Sequence, residues 1–157
     1  MTSEQMNRMV EAIASWQLEL PGARELLTST AAYLLAEGID GPAVIEMASV
    51  YPEESRFRID ALIDNLISEL RLEHELSDGP DVPATRWMCR GVLAGEISER
   101  ALSQWVHTRF HHQSESELLN ELAVLDDDYD ELPWTGGDVH KLESEIRRVA
   151  QQILGEK

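Results

Sequence analysis

Two groups of side chains in this sequence have types and spacings that could do chemistry. His107 and His111 stand four residues apart, so on a helix they share a face, the spacing at which two imidazoles can hold a transition metal. Further on, Asp126-Asp127-Asp128-Tyr129-Asp130-Glu131 forms an acidic run, with Trp134 three residues beyond it. Asp126, Asp128 and Asp130 follow the first three ligand spacings of a calcium loop. The loop then fails, because the required glycine is Glu131 and the required final glutamate is Gly137. A zinc protease pair also fails, since Thr108 stands where a glutamate should directly follow the first histidine. One reading is therefore a metal site built from His107, His111, Asp126, Asp128 and Asp130.

Neither group specifies a reaction. Asp126 to Asp130 also resembles the D-D-x-x-D magnesium–diphosphate motif of helical terpenoid synthases, but no second metal-binding motif accompanies it. Cys89, between Met88 and Arg90 on an apolar stretch, reads as core filler and not as a nucleophile. No nucleophile elbow, phosphate-cradling glycine loop or dinucleotide fingerprint is present. We expect no cofactor, and the chain reads as a non-enzyme.

The charge balance narrows the partners. Thirty acids against thirteen bases give a formal charge of −17 over 157 residues. Nucleic acid needs lysines and arginines to neutralise phosphates, and an anionic membrane face needs the same, so both are disfavoured. A helix-turn-helix around Gly38 to Pro42 would offer Arg56 and Arg58, but Glu53, Glu54, Asp60 and Asp64 flank them. A basic protein is the partner this surface would steer in. No apolar run is long enough to span a membrane. MTSEQMNRMVEA lacks the basic and apolar regions of a secretory signal, and one cysteine suits a reducing compartment, so a cytoplasmic location is expected.

The elements that must position these groups all read as helices. An apolar share of 43% supports a packed interior, and no period-two run suggests a strand. Thr2 and Gln5 make a capping box for a helix over Ser3 to Gln17. Pro21 and Gly38 bound a second helix, and Gly41-Pro42 starts a short third. A fourth is expected from Glu53 to Leu76, with Ile59, Leu62, Ile63, Leu66 and Leu70 as its stripe. The glycine and prolines of Ser77 to Pro83 break the chain.

Beyond that break, a helix runs from Pro83 to Ala94, and Ser98 caps the next, to Phe110. Ser114 with Glu117 predicts a capping box for a helix carrying Leu118, Leu119, Leu122 and Leu125, and Pro133 with Gly136-Gly137 interrupts the chain again. Val139, Leu142, Ile146, Val149 and Ile153 form a last stripe suited to docking on the core. The expectation is an all-α compact bundle of about seven to eight helices. It forms a single domain whose halves, 1–76 and 83–157, join near residues 77–83.

A helical wheel puts Leu102, Trp105, Val106 and Phe110 on the buried face of the histidine helix, and His107 and His111 on the solvent side with Ser103 and Gln104. If the following helix ends near Leu125, its aspartates stack against a negative helix end, at on the order of 0.3–1 kcal/mol each. Asp126 or Asp127 capping a further turn would avoid that cost. No lysine or arginine occurs between Arg109 and Lys141, while nine acids do.

Tyr33-Leu34-Leu35, Gly38 to Ala43, Leu93 to Ser98, Trp105-Val106-His107 and Leu125 to Asp130 together resemble small acidic all-helical bacterial proteins of unknown function. That resemblance implies a helical fold and brings no activity. The leading expectation is a non-enzymatic acidic helical module that binds a basic protein, for example an immunity-type inhibitor. Asp126, Asp127, Asp128, Asp130, Glu131 and Trp134 would be its contact residues.

Overall fold

The computed structural model describes residues 1–155, which form eight α-helices and no strand. In chain order they are α1 Ser3–Gln17, α2 Ala23–Ala36, α3 Pro42–Ala48, α4 Arg56–Leu70, α5 Asp81–Leu93, α6 Glu99–Phe110, α7 Glu117–Thr135 and α8 Val139–Gly155. Among the described residues, no helix is long and apolar enough to cross a membrane. The chain divides into two compact units, Met1–Ala84 and Thr85–Lys157. The divide falls in the first turn of α5, just past the Ser77 to Pro83 segment.

In the first unit, α1 packs on α2, α2 on α3 and α3 on α4. Met9, Ile13, Leu27, Leu34, Met47, Ile59, Leu62 and Leu66 fill the core between them. The box at the start of α1 is complete. Thr2 Oγ1 accepts from the Gln5 amide at 3.2 Å, and Gln5 Oε1 accepts from the Thr2 amide at 2.8 Å. A long-range cap holds α3. The Glu69 carboxylate accepts from the amides of Ala43 and Val44, at 2.9 and 3.2 Å. A Cβ on Gly41 would collide with that carboxylate, so the glycine leaves room for it.

Several boundaries differ from the sequence expectation, each for a local reason. The second helix starts at Ala23 and not at Pro21, because Gly22, at φ 77°, turns the chain into it. α4 is shorter than Glu53 to Leu76. Ser55 Oγ accepts from the Arg58 amide at 3.1 Å to start it, and Arg71, at φ 57°, turns the chain out of the helix. α5 begins at Asp81, so Pro83 lies inside its first turn, where a missing N–H costs nothing.

In the second unit, α6 packs on α7, and both pack on α8. Four residues of the α8 stripe dock as expected, Leu142, Ile146, Val149 and Ile153, while Val139 at its start is exposed. Arg86 of α5 donates to the carbonyls of Ile153 and Leu154, at 3.0 and 3.1 Å, placing a cation at the negative end of α8. Cys89 is fully buried as core filler.

α7 departs most from expectation. Its N-cap is Ser116, accepting from the Leu119 amide, and not Ser114. Asn120 instead clamps Ser114, accepting from its amide at 3.0 Å and donating to its carbonyl at 2.8 Å. Pro133 does not break the helix. It sits two residues before the last residue of the helix, where the loss of one N–H leaves the remaining turns intact. Gly136, at φ 65°, terminates it, with its amide donating to the Leu132 carbonyl at 3.1 Å. The acidic run therefore lies within a continuous helix and not at a helix end.

Candidate functional site

The histidine helix and the acidic run meet across the α6–α7 contact. α7 buries Leu119, Leu122, Ala123, Leu125, Asp126 and Tyr129, a face on which Asp126 is the one charged member. Asp126 is 8% exposed, and α6 turns Ser103, fully buried, toward it. Ser103 Oγ lies 3.3 Å from Asp126 Oδ1 and 3.1 Å from the Arg100 carbonyl, so its single proton serves one acceptor at a time. On the other side, His107 Nδ1 lies 2.8 Å from Asp126 Oδ2. The wheel expectation is thus corrected. Ser103 is fully buried and His107 is partly buried, its side chain 28% exposed; they form a polar seam against α7, possible because Asp126 supplies the partner.

The seam continues outward. His107 Nδ1 is 3.8 Å from Asp127 Oδ1, and His112 Nε2 is 3.1 Å from Asp127 Oδ2. The imidazoles of His107 and His112 meet edge to face with centroids 4.8 Å apart. His111 makes this possible through its backbone. It ends α6 at φ 55° and ψ −138°, a left-handed conformation rare outside glycine, and so reverses the chain after the helix.

Of the expected metal set His107, His111, Asp126, Asp128 and Asp130, only His107 joins the cluster that forms, whose other members, His112 and Asp127, lay outside that set. One ligand atom from each of His107, His112 and Asp127 lies within 4.8 Å of the others. Asp126 is held one step behind them through His107. Asp130 pairs instead with Arg100 at 3.0 Å, and that guanidinium also lies 5.0 Å from the Tyr129 ring centroid. The Tyr129 phenol is buried, which pushes its pKa above the ordinary 10.0, and Glu143 and Glu99 add to the rise.

Asp128 and Glu131 face another way. With Leu125, Leu132, Asp138 and Glu145 they line a cavity of about 260 Å³ beside the start of α8, where Lys141 is the one basic lining residue. Trp134 stands on the last turn of α7, on the helix face of Asp130 and Glu131, and is 88% exposed.

Compared with known proteins, the chain matches no family model, no curated protein and no solved structure. Two contributors were missed in the sequence. Ser103 was legible as the residue one turn before His107 on the same helix face. His112 carried no such signal, because a backbone reversal at a non-glycine residue places it.

Proposed function

We propose that the protein is a non-enzymatic, acidic helical module of the cytoplasm that binds a basic protein, for example as an immunity-type inhibitor of a basic toxin. The observation that carries this reading is Trp134, 88% exposed at the end of α7. A large aromatic left in water contributes nothing to its own core, whereas tryptophans are enriched among the residues that dominate protein interfaces. Glu131 shares its helix face, and with Asp128, Asp138 and Glu145 it also lines the cavity beside the start of α8, where Lys141 is the one basic lining residue. That setting suits an arginine or lysine side chain of a partner. Within this reading a smaller contact set is the one supported. Asp126 and Asp127 are engaged with histidines and Asp130 with Arg100, which leaves Asp128, Glu131 and Trp134 to make the contact.

The test is capture from the native cytosol with the tagged full chain, beside Trp134→Ala. The wild type should recover a basic protein at low salt and release it as salt rises. Trp134→Ala should raise the Kd of that complex about tenfold or more while leaving the melting temperature unchanged. Recovery of no basic protein, or equal affinity for both chains, would overturn the reading.

A further inference from the structure

We propose that His107, His112 and Asp127 bind a divalent transition metal, with Zn²⁺ as the ion that fits them. This site is separate from the Trp134 surface and does not depend on the partner reading.

Three observations carry it. The first is distance. The three ligand atoms lie within 4.8 Å of one another, and one pair, His112 Nε2 and Asp127 Oδ2, is already at 3.1 Å. A tetrahedral zinc with bonds of about 2.0–2.2 Å separates its ligand atoms by about 3.3–3.5 Å. Side-chain movement of about 1 Å closes the set around such an ion.

The second is chemistry. Two imidazoles and one carboxylate suit zinc and its neighbours, whereas calcium and magnesium take oxygen donors. The three protein ligands leave a fourth position open to water.

The third is the support behind the ligands. His107 and Asp127 stand on the packed helices α6 and α7, so their backbones are fixed. The His107 ring is gripped at Nδ1 by Asp126, a buried carboxylate that also contacts the fully buried Ser103, so the nitrogen left for the metal is Nε2 and not the Nδ1 that lies 3.8 Å from Asp127. A carboxylate behind a ligating histidine is the arrangement that orients the ring and fixes its tautomer in zinc sites. Asp126 is thus a positioning residue, acting through His107. His112 alone comes from the turn, and the chain reversal at His111 brings it over His107.

The experiment titrates Zn²⁺ into the tag-free, metal-stripped full chain by competition with a chelating dye, and records the visible spectrum of the Co²⁺ form. One ion per chain is expected, with a four-coordinate cobalt spectrum and no competition from Ca²⁺. His112→Ala and Asp127→Asn, both at accessible side chains, should each weaken Zn²⁺ binding at least about tenfold and abolish the cobalt bands. Asp126→Asn should weaken it about 10–100-fold and shift the bands without removing them. His111→Asn and Asp130→Asn should change neither. If the wild type shows no saturable binding, or if His112→Ala and Asp127→Asn bind as the wild type does, the proposal falls. The cluster is then only an ion-pair clasp between α6, α7 and the turn.

Discussion

Asp126 Oδ2 and His107 Nδ1 lie 2.8 Å apart, joining α7 to α6 through a carboxylate that is almost wholly removed from water. A buried carboxylate is tolerated only where hydrogen bonds replace its hydration, and here Ser103 and His107 supply them. The same contact sets the direction of the His107 ring, and through it the geometry of the histidine pair.

Removing this carboxylate should weaken the second unit. Asp126→Ala deprives His107 and the buried Ser103 of their shared acceptor, at a cost of about 1–3 kcal/mol. Asp126→Asn keeps an acceptor and should cost less. Urea unfolding of the two variants measures the order; an alanine variant as stable as the wild type would contradict it.

His111 should respond in the opposite sense. Its φ of 55° with ψ −138° stores strain in a non-glycine residue, on the order of 1–3 kcal/mol. Glycine relieves that strain but adds about 0.5–1 kcal/mol of backbone entropy to be lost on folding. His111→Gly should therefore stabilise by roughly 1 kcal/mol, the difference of the two effects, and raise the melting temperature. A lower melting temperature would show that the reversal is not strained.

Tyr129 predicts a loss of stability in alkali. Its folded pKa is raised above 10.0, first by burial and then by Glu143 and Glu99, so the folded state favours the neutral phenol. Below the unfolded value this contribution is fully present. As pH rises toward the higher folded value the unfolded chain ionises first, and stability is lost. The wild type should therefore lose stability relative to Tyr129→Phe between about pH 9 and pH 11, and not below. Urea melts across that range give the comparison; parallel curves for the two chains would contradict it.

Much of the helical framework was legible because local rules set it. The Thr2–Gln5 box, the Ser98 cap, Pro42 at the start of α3 and the α8 stripe all depend on residues within one or two turns of each other. The errors arose where a distant or unexpected partner intervened. Asn120 took the backbone of Ser114, so the cap moved to Ser116. Pro133 lay close enough to a helix end to be absorbed. Asp126 could have been placed on the buried face, since it continues the spacing of Leu119 and Leu122. Its charge argued for solvent, and only an opposing histidine and serine reverse that argument.

The sequence by itself determined that this is an all-helical, strongly acidic chain, because periodicity, caps and charge are properties of short segments and of composition. It also marked His107 and the acidic run as the residues worth following. Only the tertiary structure decided how they are used. It brought Asp126 into the α6–α7 contact, turned His112 over His107 in place of His111, gave Asp130 to Arg100, and left Trp134 in water. Those outcomes depend on the partners that opposing helix faces supply and on one chain reversal after α6; spacing puts Asp126 on the buried face of its own helix but does not supply the histidine and serine that meet it.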